Sequence, residues 1–197
     1  MMTTSSTSLP RFTSTMDDAT FAKQLADAAL LRGTFTLRSG RTSSYYLDKY
    51  LFSTKPQLLA ELGARFAQRV NQMETNAACV ADRLAGAELG GIPLVTVASM
   101  ACDRPCVFVR NAKKDYGTAK QIEGKLEKDD RVIIVEDIAT SGGQSVEAVR
   151  TLRAVGAQVL GVIVVIDRQE GARENITAEH VLFDSLVTKA DLGISPD

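Results

Sequence analysis

From residue 77 onward, the chain alternates short apolar segments with helical ones, and this alternation constrains the fold more than any other feature. We predict strands over residues 77–81, 106–109, 132–135, 159–166 and 182–187. Helices are predicted over residues 93–102 and 144–155. Continuous apolar strands separated by helices are typical of a parallel sheet covered on both faces. We therefore expect an α/β fold with a mainly parallel central sheet flanked by helices.

The N-terminal part of the chain has a different pattern. Asp17 or Asp18 can cap a helix that runs to about Leu31, where Gly33 would stop it. Two short strands, over 35–37 and 45–47, and a helix over about 56–70 are predicted to follow. Residues 1–16 are rich in Ser and Thr and lack the apolar stretch of a secretory signal, so we expect a mobile tail there and a single domain over 17–197.

Composition excludes several classes of function. The formal net charge of -1 gives no overall attraction to nucleic acid or to an anionic membrane, so an anion site must be local. The longest apolar runs have about eight residues, whereas a membrane-spanning helix needs roughly twenty. Cys79, Cys102, Cys106 and the single His180 form no metal-binding pattern, and so few cysteines fit a reducing compartment. We therefore expect a cytoplasmic protein.

The most informative segment runs from Val132 to Ser145. A buried strand ends in the acids Glu136 and Asp137, and the small-residue loop 140–144 then leads into a helix. Ligands of open parallel sheets bind at the carboxyl ends of strands, and glycine N–H groups at a helix N-terminus favour phosphate. Ionised carboxylates can accept hydrogen bonds from two sugar hydroxyls. The segment therefore predicts a ribose 5-phosphate site.

Other interpretations of this segment are weaker. It is not a P-loop, because no Gly-Lys-Ser/Thr is present, and no G-x-G-x-x-G follows a strand. The remaining alternative is a solvent-exposed turn in which Glu136 and Asp137 only end a strand. A lone Gly-Gly pair would favour that alternative, whereas two acids followed by Thr140, Ser141 and the glycines favour the ribose 5-phosphate site.

This segment resembles the motif with which type I phosphoribosyltransferases bind phosphoribosyl pyrophosphate (PRPP). Three further segments resemble those of orotate phosphoribosyltransferases: residues 35–46, residues 108–117 and Asp167-Arg168-Gln169-Glu170-Gly171. The resemblance implies the type I fold, with a small hood from about residues 17–50 on a core of about 56–197. It also implies transfer of ribose 5-phosphate from PRPP to orotate with Mg²⁺, and a homodimer whose catalytic loop is shared between subunits.

The resemblance also implies roles for individual residues. Catalytic roles fall on Arg110, Lys114 and Asp137. The implied PRPP contacts are Arg38, Arg110, Lys113, Lys114, Glu136, Asp137, Ile138, Ala139, Thr140, Ser141, Gly142, Gly143 and Gln144. The implied orotate contacts are Tyr46, Thr140 and Arg168. No side chain is expected to bind Mg²⁺ directly, since PRPP and water hold it.

The chain departs from the family pattern at three positions. Asn111 and Gly90 stand where members have a lysine, and Tyr116 replaces a common histidine. Two alternatives stay open: a transferase for another base, and a non-catalytic PRPP-binding regulator. The basic loop with Arg110 and Lys114 argues against the regulator, and Arg168 argues against a purine enzyme.

Overall fold

The structure is a computed structural model that describes residues 12–36, 40, 42–111 and 121–194. Its helices are α1 (Asp18–Ala29), α2 (Lys49–Ser53), α3 (Pro56–Ala77), α4 (Gly91–Cys102), α5 (Gly143–Ala154) and α6 (Ala172–Thr177), with a 3₁₀ turn at Ala190–Leu192. Its strands are β1 (Leu30–Thr36), β2 (Thr42–Leu47), β3 (Arg83–Ala87), β4 (Cys106–Val109), β5 (Ile122–Glu123), β6 (Arg131–Ala139), β7 (Gln158–Asp167) and β8 (Leu182–Thr188).

Six of these strands form one sheet in the order β5-β4-β3-β6-β7-β8. All neighbours in it are parallel except β5, which runs antiparallel to β4. A separate antiparallel pair, β1 and β2, precedes the sheet in the chain. The predicted α/β fold with a mainly parallel central sheet is therefore confirmed. Since β6 lies near the middle of the sheet, residues that follow its two neighbours, β3 and β7, can contribute to a ligand site at its carboxyl end.

Helices cover both faces of the sheet, which explains why its strands are apolar throughout. Ile133 and Val135 of β6 pack in the same core cluster as residues of α1, α3 and α4. The alternate residues Val132 and Ile134 pack instead with residues of α5 and α6. Successive side chains of a strand point to opposite faces, so a strand between two helical layers needs apolar residues at every position.

The structure corrects two sequence predictions. The first helix ends at Ala29, and Gly33 lies inside β1 rather than at a helix end. The strand predicted at 77–81 is wrong, because α3 continues to Ala77 and the strand is β3, over Arg83–Ala87. The pattern did not predict β3 because Ala and Gly have weak strand propensity. Close packing selects them, since a Cβ on Gly86 would lie 2.6 Å from the carbonyl oxygen of Gly91.

Part of the predicted tail is bound to α3. The Ser14 hydroxyl donates to Glu61 Oε1 at 2.6 Å, and the Thr15 N–H donates to Glu61 Oε2 at 2.8 Å. Arg65 donates to the Met16 carbonyl at 2.6 Å. Residues 14–16 are therefore anchored, while 1–11 lie outside the described residues; the division into tail, hood and core stays a prediction. Among the described residues, no helix combines the length and apolarity needed to cross a membrane.

Candidate active site

Two adjacent acids lie at the carboxyl end of β6. Glu136 and Asp137 are each only 3% exposed. Glu136 Oε1 accepts a hydrogen bond of 3.1 Å from the Ala87 N–H at the end of β3, and Asp137 Oδ1 accepts one of 2.5 Å from the Ile138 N–H. The sheet thus places both carboxylates where β3 and β6 end together, as the sequence predicted for its ribose acids.

The two acids cannot easily be ionised at the same time. Burial, followed by the neighbouring Asp137 charge, raises the pKa of Glu136 to about 8. Glu136 is then protonated near neutral pH and can donate a hydrogen bond as well as accept one. Protonation of Glu136 lowers the negative charge at this edge of the sheet, which reduces the repulsion of an anionic ligand.

A lysine that the sequence analysis did not single out lies against this pair. Lys49 Nζ is 3.0 Å from Asp137 Oδ2. Gly90, in the turn between β3 and α4, faces the same oxygen so closely that a Cβ there would lie 1.6 Å from it. Lys49 directly follows Asp48 after the Tyr45–Leu47 segment, and nothing in that local pattern indicated a partner 88 positions along the chain.

The predicted phosphate loop connects β6 to α5. Thr140 and Ser141 are exposed, and Gly142 has φ 75°, a conformation that favours glycine. A Cβ on Gly142 would also lie 3.0 Å from Ile176. The Asn175 side chain donates to the Ser141 carbonyl at 2.9 Å. The loop is thus held open at the N-terminus of the 12-residue helix α5, where the first N–H groups have no intrahelical partner and can bind an anion.

Arg168 follows β7, the neighbour of β6, and its side chain reaches back to β2. The backbone N–H of Arg168 donates to the Ala139 carbonyl at 2.9 Å, and Nη2 of its guanidinium donates to the Tyr45 hydroxyl at 3.0 Å. Glu170 Oε1 lies 2.8 Å from the same Nη2. Arg168 Nε is buried with no hydrogen-bond partner among the described residues, so donor capacity remains for a ligand.

Tyr45 and Tyr46 point to opposite sides of β2, as successive strand residues must. Tyr45 is buried against Arg168, whose guanidinium carbon lies 5.5 Å from the centre of its ring. Tyr46 is 46% exposed and packs on Phe35, with ring centres 5.7 Å apart. The structure therefore adds Tyr45 as the contact of Arg168, and the orotate contact of Tyr46 stays a prediction.

The predicted catalytic loop leaves the sheet between β4 and β5. Its two ends are joined where the Arg110 N–H donates to the Gln121 carbonyl at 2.8 Å. Arg110 Nη1 lies 3.8 Å from Glu123 Oε1, and the Asn111 N–H donates to Glu88 Oε1 at 2.8 Å. Lys113, Lys114 and Tyr116 lie outside the described residues, as does Arg38.

The carboxyl edge of the sheet also brings the loop stem and the phosphate loop together. The Glu88 carbonyl, in the turn after β3, accepts hydrogen bonds from the side chains of Asn111 at 3.2 Å and Gln144 at 3.1 Å. The Glu88–Leu89 peptide bond is cis. Anion donors, sugar acceptors and a guanidinium thus surround one region formed by β3, β6 and β7, an arrangement suited to a phosphorylated sugar beside a planar acidic base.

Known proteins are similar to this chain in sequence and fold. Residues 54–190 match the Phosphoribosyl transferase domain family, which is the class that the fold and the site define. The chain is 47% identical to the orotate phosphoribosyltransferase of Haloquadratum walsbyi over 178 residues, covering 90% of this chain and 92% of that protein. The Pyrococcus horikoshii orotate phosphoribosyltransferase is 40% identical over 84% of this chain and 89% of its own length. The chain belongs to the orotate phosphoribosyltransferase family.

Solved structures agree with this assignment. Orotate phosphoribosyltransferase of Mycobacterium tuberculosis in complex with Fe(III) dicitrate has a TM-score of 0.76 and 32% identity, covering 91% of this chain and 100% of that one. The same enzyme in complex with PRPP has a TM-score of 0.74 at equal identity and coverage. The predicted resemblance to orotate phosphoribosyltransferases is thereby confirmed.

Proposed function

We propose that this chain transfers ribose 5-phosphate from PRPP to N1 of orotate, which gives orotidine 5'-monophosphate and pyrophosphate in de novo pyrimidine biosynthesis. The observation that carries the proposal is the convergence of the acid pair, the phosphate loop and Arg168 at one edge of the sheet. Its relatives in three archaeal genera bear the name of this activity.

The geometry of the acid pair and the phosphate loop supports the following proposal for PRPP binding. The backbone N–H groups of residues 141–144 hold the 5'-phosphate at the N-terminus of α5, assisted by the Thr140 and Ser141 hydroxyls. Asp137 accepts hydrogen bonds from the ribose hydroxyls, and protonated Glu136 can both accept and donate. Ile138 and Ala139 complete the wall of the PRPP site through their backbone.

The orotate step needs a cation for the carboxylate and a surface for the ring. Arg168 supplies the guanidinium, whose orientation Tyr45 and Glu170 fix. Thr140 and Tyr46 are the other proposed contacts. Since N1 of orotate is acidic for an amide-like nitrogen, the harder task is to stabilise the departing pyrophosphate, for which we propose Arg110, Lys113, Lys114 and Arg38.

Magnesium fits this site as a companion of PRPP. The Asp137 carboxylate has oxygens of the kind that Mg²⁺ prefers, but no cluster of three or more potential metal ligands is found among the described residues. We therefore propose that PRPP oxygens and water hold the ion. When bound, Mg²⁺ would neutralise part of the charge that develops on the leaving pyrophosphate.

The reaction is tested by offering PRPP and Mg²⁺ with orotate, adenine, hypoxanthine or xanthine and measuring pyrophosphate release. We expect release with orotate alone. Release with a purine would favour the other-base alternative, and PRPP binding without release for any base would favour a regulator.

The basic loop is proposed to close over the site of a neighbouring subunit in a cytoplasmic homodimer. Mixing Lys114→Ala subunits with Asp137→Asn subunits tests whether the loop serves the neighbouring subunit's site or the site of its own subunit. If the sites are shared, each hybrid dimer contains one site with both native residues and recovers up to half of the wild-type activity. If each loop serves its own subunit, activity stays at the level of the variants, with subunit exchange verified by mass spectrometry.

A further inference from the structure

Lys49 lies where the N-terminal segment meets the acid pair. It is the first residue of α2, and Asp48 caps this helix by accepting a hydrogen bond of 3.0 Å from the Tyr50 N–H. The Asp48 N–H in turn donates to the Ala29 carbonyl at 2.9 Å. The backbone at Lys49 is thus fixed by α1 and by its own cap, and its side chain extends to Asp137 in the sheet.

The carboxylate that Lys49 reaches is otherwise incompletely bonded. The Asp137 side chain is 4% exposed, and apart from the ion pair with Lys49 its Oδ2 has no hydrogen-bond partner among the described residues. A buried carboxylate oxygen with a single cationic partner keeps capacity to accept further hydrogen bonds, which a ligand can supply. The Lys49 side chain is 32% exposed, which leaves its ammonium within reach of such a ligand.

Gly90 determines from which side the cation comes. A Cβ at residue 90 would overlap Asp137 Oδ2, so the turn between β3 and α4 offers no side chain to this oxygen. The positive charge is supplied instead by Lys49 of α2. Burial lowers the pKa of Lys49, but the Asp137 carboxylate outweighs burial and the net shift is upward, so the ammonium is charged at neutral pH.

We propose that Lys49 is a positioning residue for PRPP, whose ammonium holds the Asp137 carboxylate in place with Oδ2 presented to a ribose hydroxyl. This inference rests on the proposed function, and it adds a residue of the N-terminal segment to the PRPP site. Lys49 acts through Asp137, so its loss weakens PRPP binding more than it weakens the binding of the base.

The test compares Lys49→Met with Lys49→Arg, which retains the charge. The matched control is Lys23→Met, since Lys23 forms an ion pair of 2.5 Å with Asp27 on the exposed surface of α1. For each variant, PRPP affinity is measured by calorimetry with Mg²⁺, and KM is measured for PRPP and for orotate. Melting temperatures show whether each variant is folded.

We expect Lys49→Met to weaken PRPP binding by at least about tenfold, the low end for a hydrogen bond that involves a charged group, while KM for orotate changes by less than about twofold. Lys49→Arg should recover most of the loss, and Lys23→Met should behave as wild type. A folded Lys49→Met variant with wild-type PRPP affinity would overturn the proposal. So would equal losses for PRPP and orotate, or a folded Lys49→Arg variant no better than Lys49→Met.

Calorimetry keeps this test separate from that of the reaction. A wild-type chain that binds PRPP but does not consume orotate would refute the proposed base, and the PRPP affinities of the variants would still decide the role of Lys49. A wild-type chain that does not bind PRPP would refute both proposals.

Discussion

Two buried acidic clusters in this chain differ in how completely their carboxylates are bonded. On α3, Glu61 is 2% exposed and accepts hydrogen bonds from Ser14, from Thr15 and, at 2.7 Å, from Arg65 Nε. Arg65 also donates to Asp18 and to the Met16 carbonyl, so each of its three side-chain nitrogens has a partner. This cluster is complete within the folded chain.

The cluster at the end of β6 is buried to the same extent but is not complete. Glu136 and Asp137 are each 3% exposed. Apart from its ion pair with Lys49, Asp137 Oδ2 has no hydrogen-bond partner among the described residues. Burial of an acid therefore does not identify its role. A shortage of hydrogen-bond donors is the more informative sign, because a buried carboxylate with too few donors is costly unless a ligand supplies the missing ones.

The two clusters also shift acidity in opposite directions. Burial raises the pKa of Glu61, but the hydrogen bonds from Ser14, Thr15 and Arg65 outweigh it, so the net pKa is lowered. In Glu136, burial and the Asp137 charge prevail, and the pKa rises to about 8. A saturated carboxylate is thus stabilised as an anion, whereas the acid at the candidate site is stabilised as a neutral group.

The largest expected effect is that of Asp137→Asn on PRPP binding. The substitution keeps the shape of the side chain but removes the anionic acceptor for the ribose hydroxyls. We expect PRPP affinity, measured by calorimetry with Mg²⁺, to fall on the order of a hundredfold, as for the loss of a charged hydrogen bond. Unchanged PRPP affinity in a folded variant would remove the acid pair from the ribose site.

At the Glu61 cluster, we expect the opposite result, which is a loss of stability with no change in PRPP affinity. Glu61→Gln leaves Arg65 without a buried anionic partner, so the free energy of unfolding in urea should fall by about 3 kcal/mol. PRPP affinity should be unchanged under conditions where the variant is folded. Asp27→Asn, which breaks an exposed ion pair on α1, is the control and should cost less than about 1 kcal/mol. If Glu61→Gln costs no more than Asp27→Asn, or weakens PRPP binding in the folded variant, the Glu61 cluster does not have the purely stabilising role assigned to it.

A further prediction concerns the pH dependence of stability. Since the folded-state pKa of Glu136 is raised, the folded chain retains a proton that the unfolded chain loses above pH 4.5, the ordinary value. Glu136 therefore makes stability fall as pH rises from about 4.5 to about 8.

Glu61 makes the opposite contribution. Its lowered pKa gives stability that is present above its ordinary value of 4.5 and is lost as pH falls through the folded-state pKa. Urea unfolding should be measured at several pH values. In Glu136→Gln, the decline in the free energy of unfolding as pH rises above 4.5 should be reduced. In Glu61→Gln, the loss of unfolding free energy as pH falls below 4.5 should be reduced. Identical pH profiles for the two variants would contradict the assigned shifts.

The sequence predicted the β6 end of the site better than its surroundings. The acids and the loop 140–144 are contiguous, so their chemistry could be inferred from a short segment. Lys49 could not be linked to Asp137, because their contact depends on how α2 packs against the sheet. The i, i+4 spacing of Glu61 and Arg65 on α3 permits their ion pair, but a surface pair at that spacing would have the same pattern. The participation of Ser14 and Thr15 depends on tertiary packing.

Gly90 shows a further limit of local patterns. In the sequence, Gly90 stands out only as a departure from a family lysine, whereas in the structure its missing side chain makes room for Asp137. β3 was misplaced for a related reason, because its small residues are selected by the close approach of α4 rather than by strand propensity.

The most direct test of the account is the ultraviolet absorbance of orotate in the presence of PRPP and Mg²⁺, followed side by side for wild type, Asp137→Asn and Glu61→Gln. The account predicts PRPP-dependent loss of orotate with wild type, almost none with Asp137→Asn, and a near-wild-type rate with folded Glu61→Gln. Wild-type rates from Asp137→Asn, or no loss of orotate with the folded wild-type chain, would contradict it.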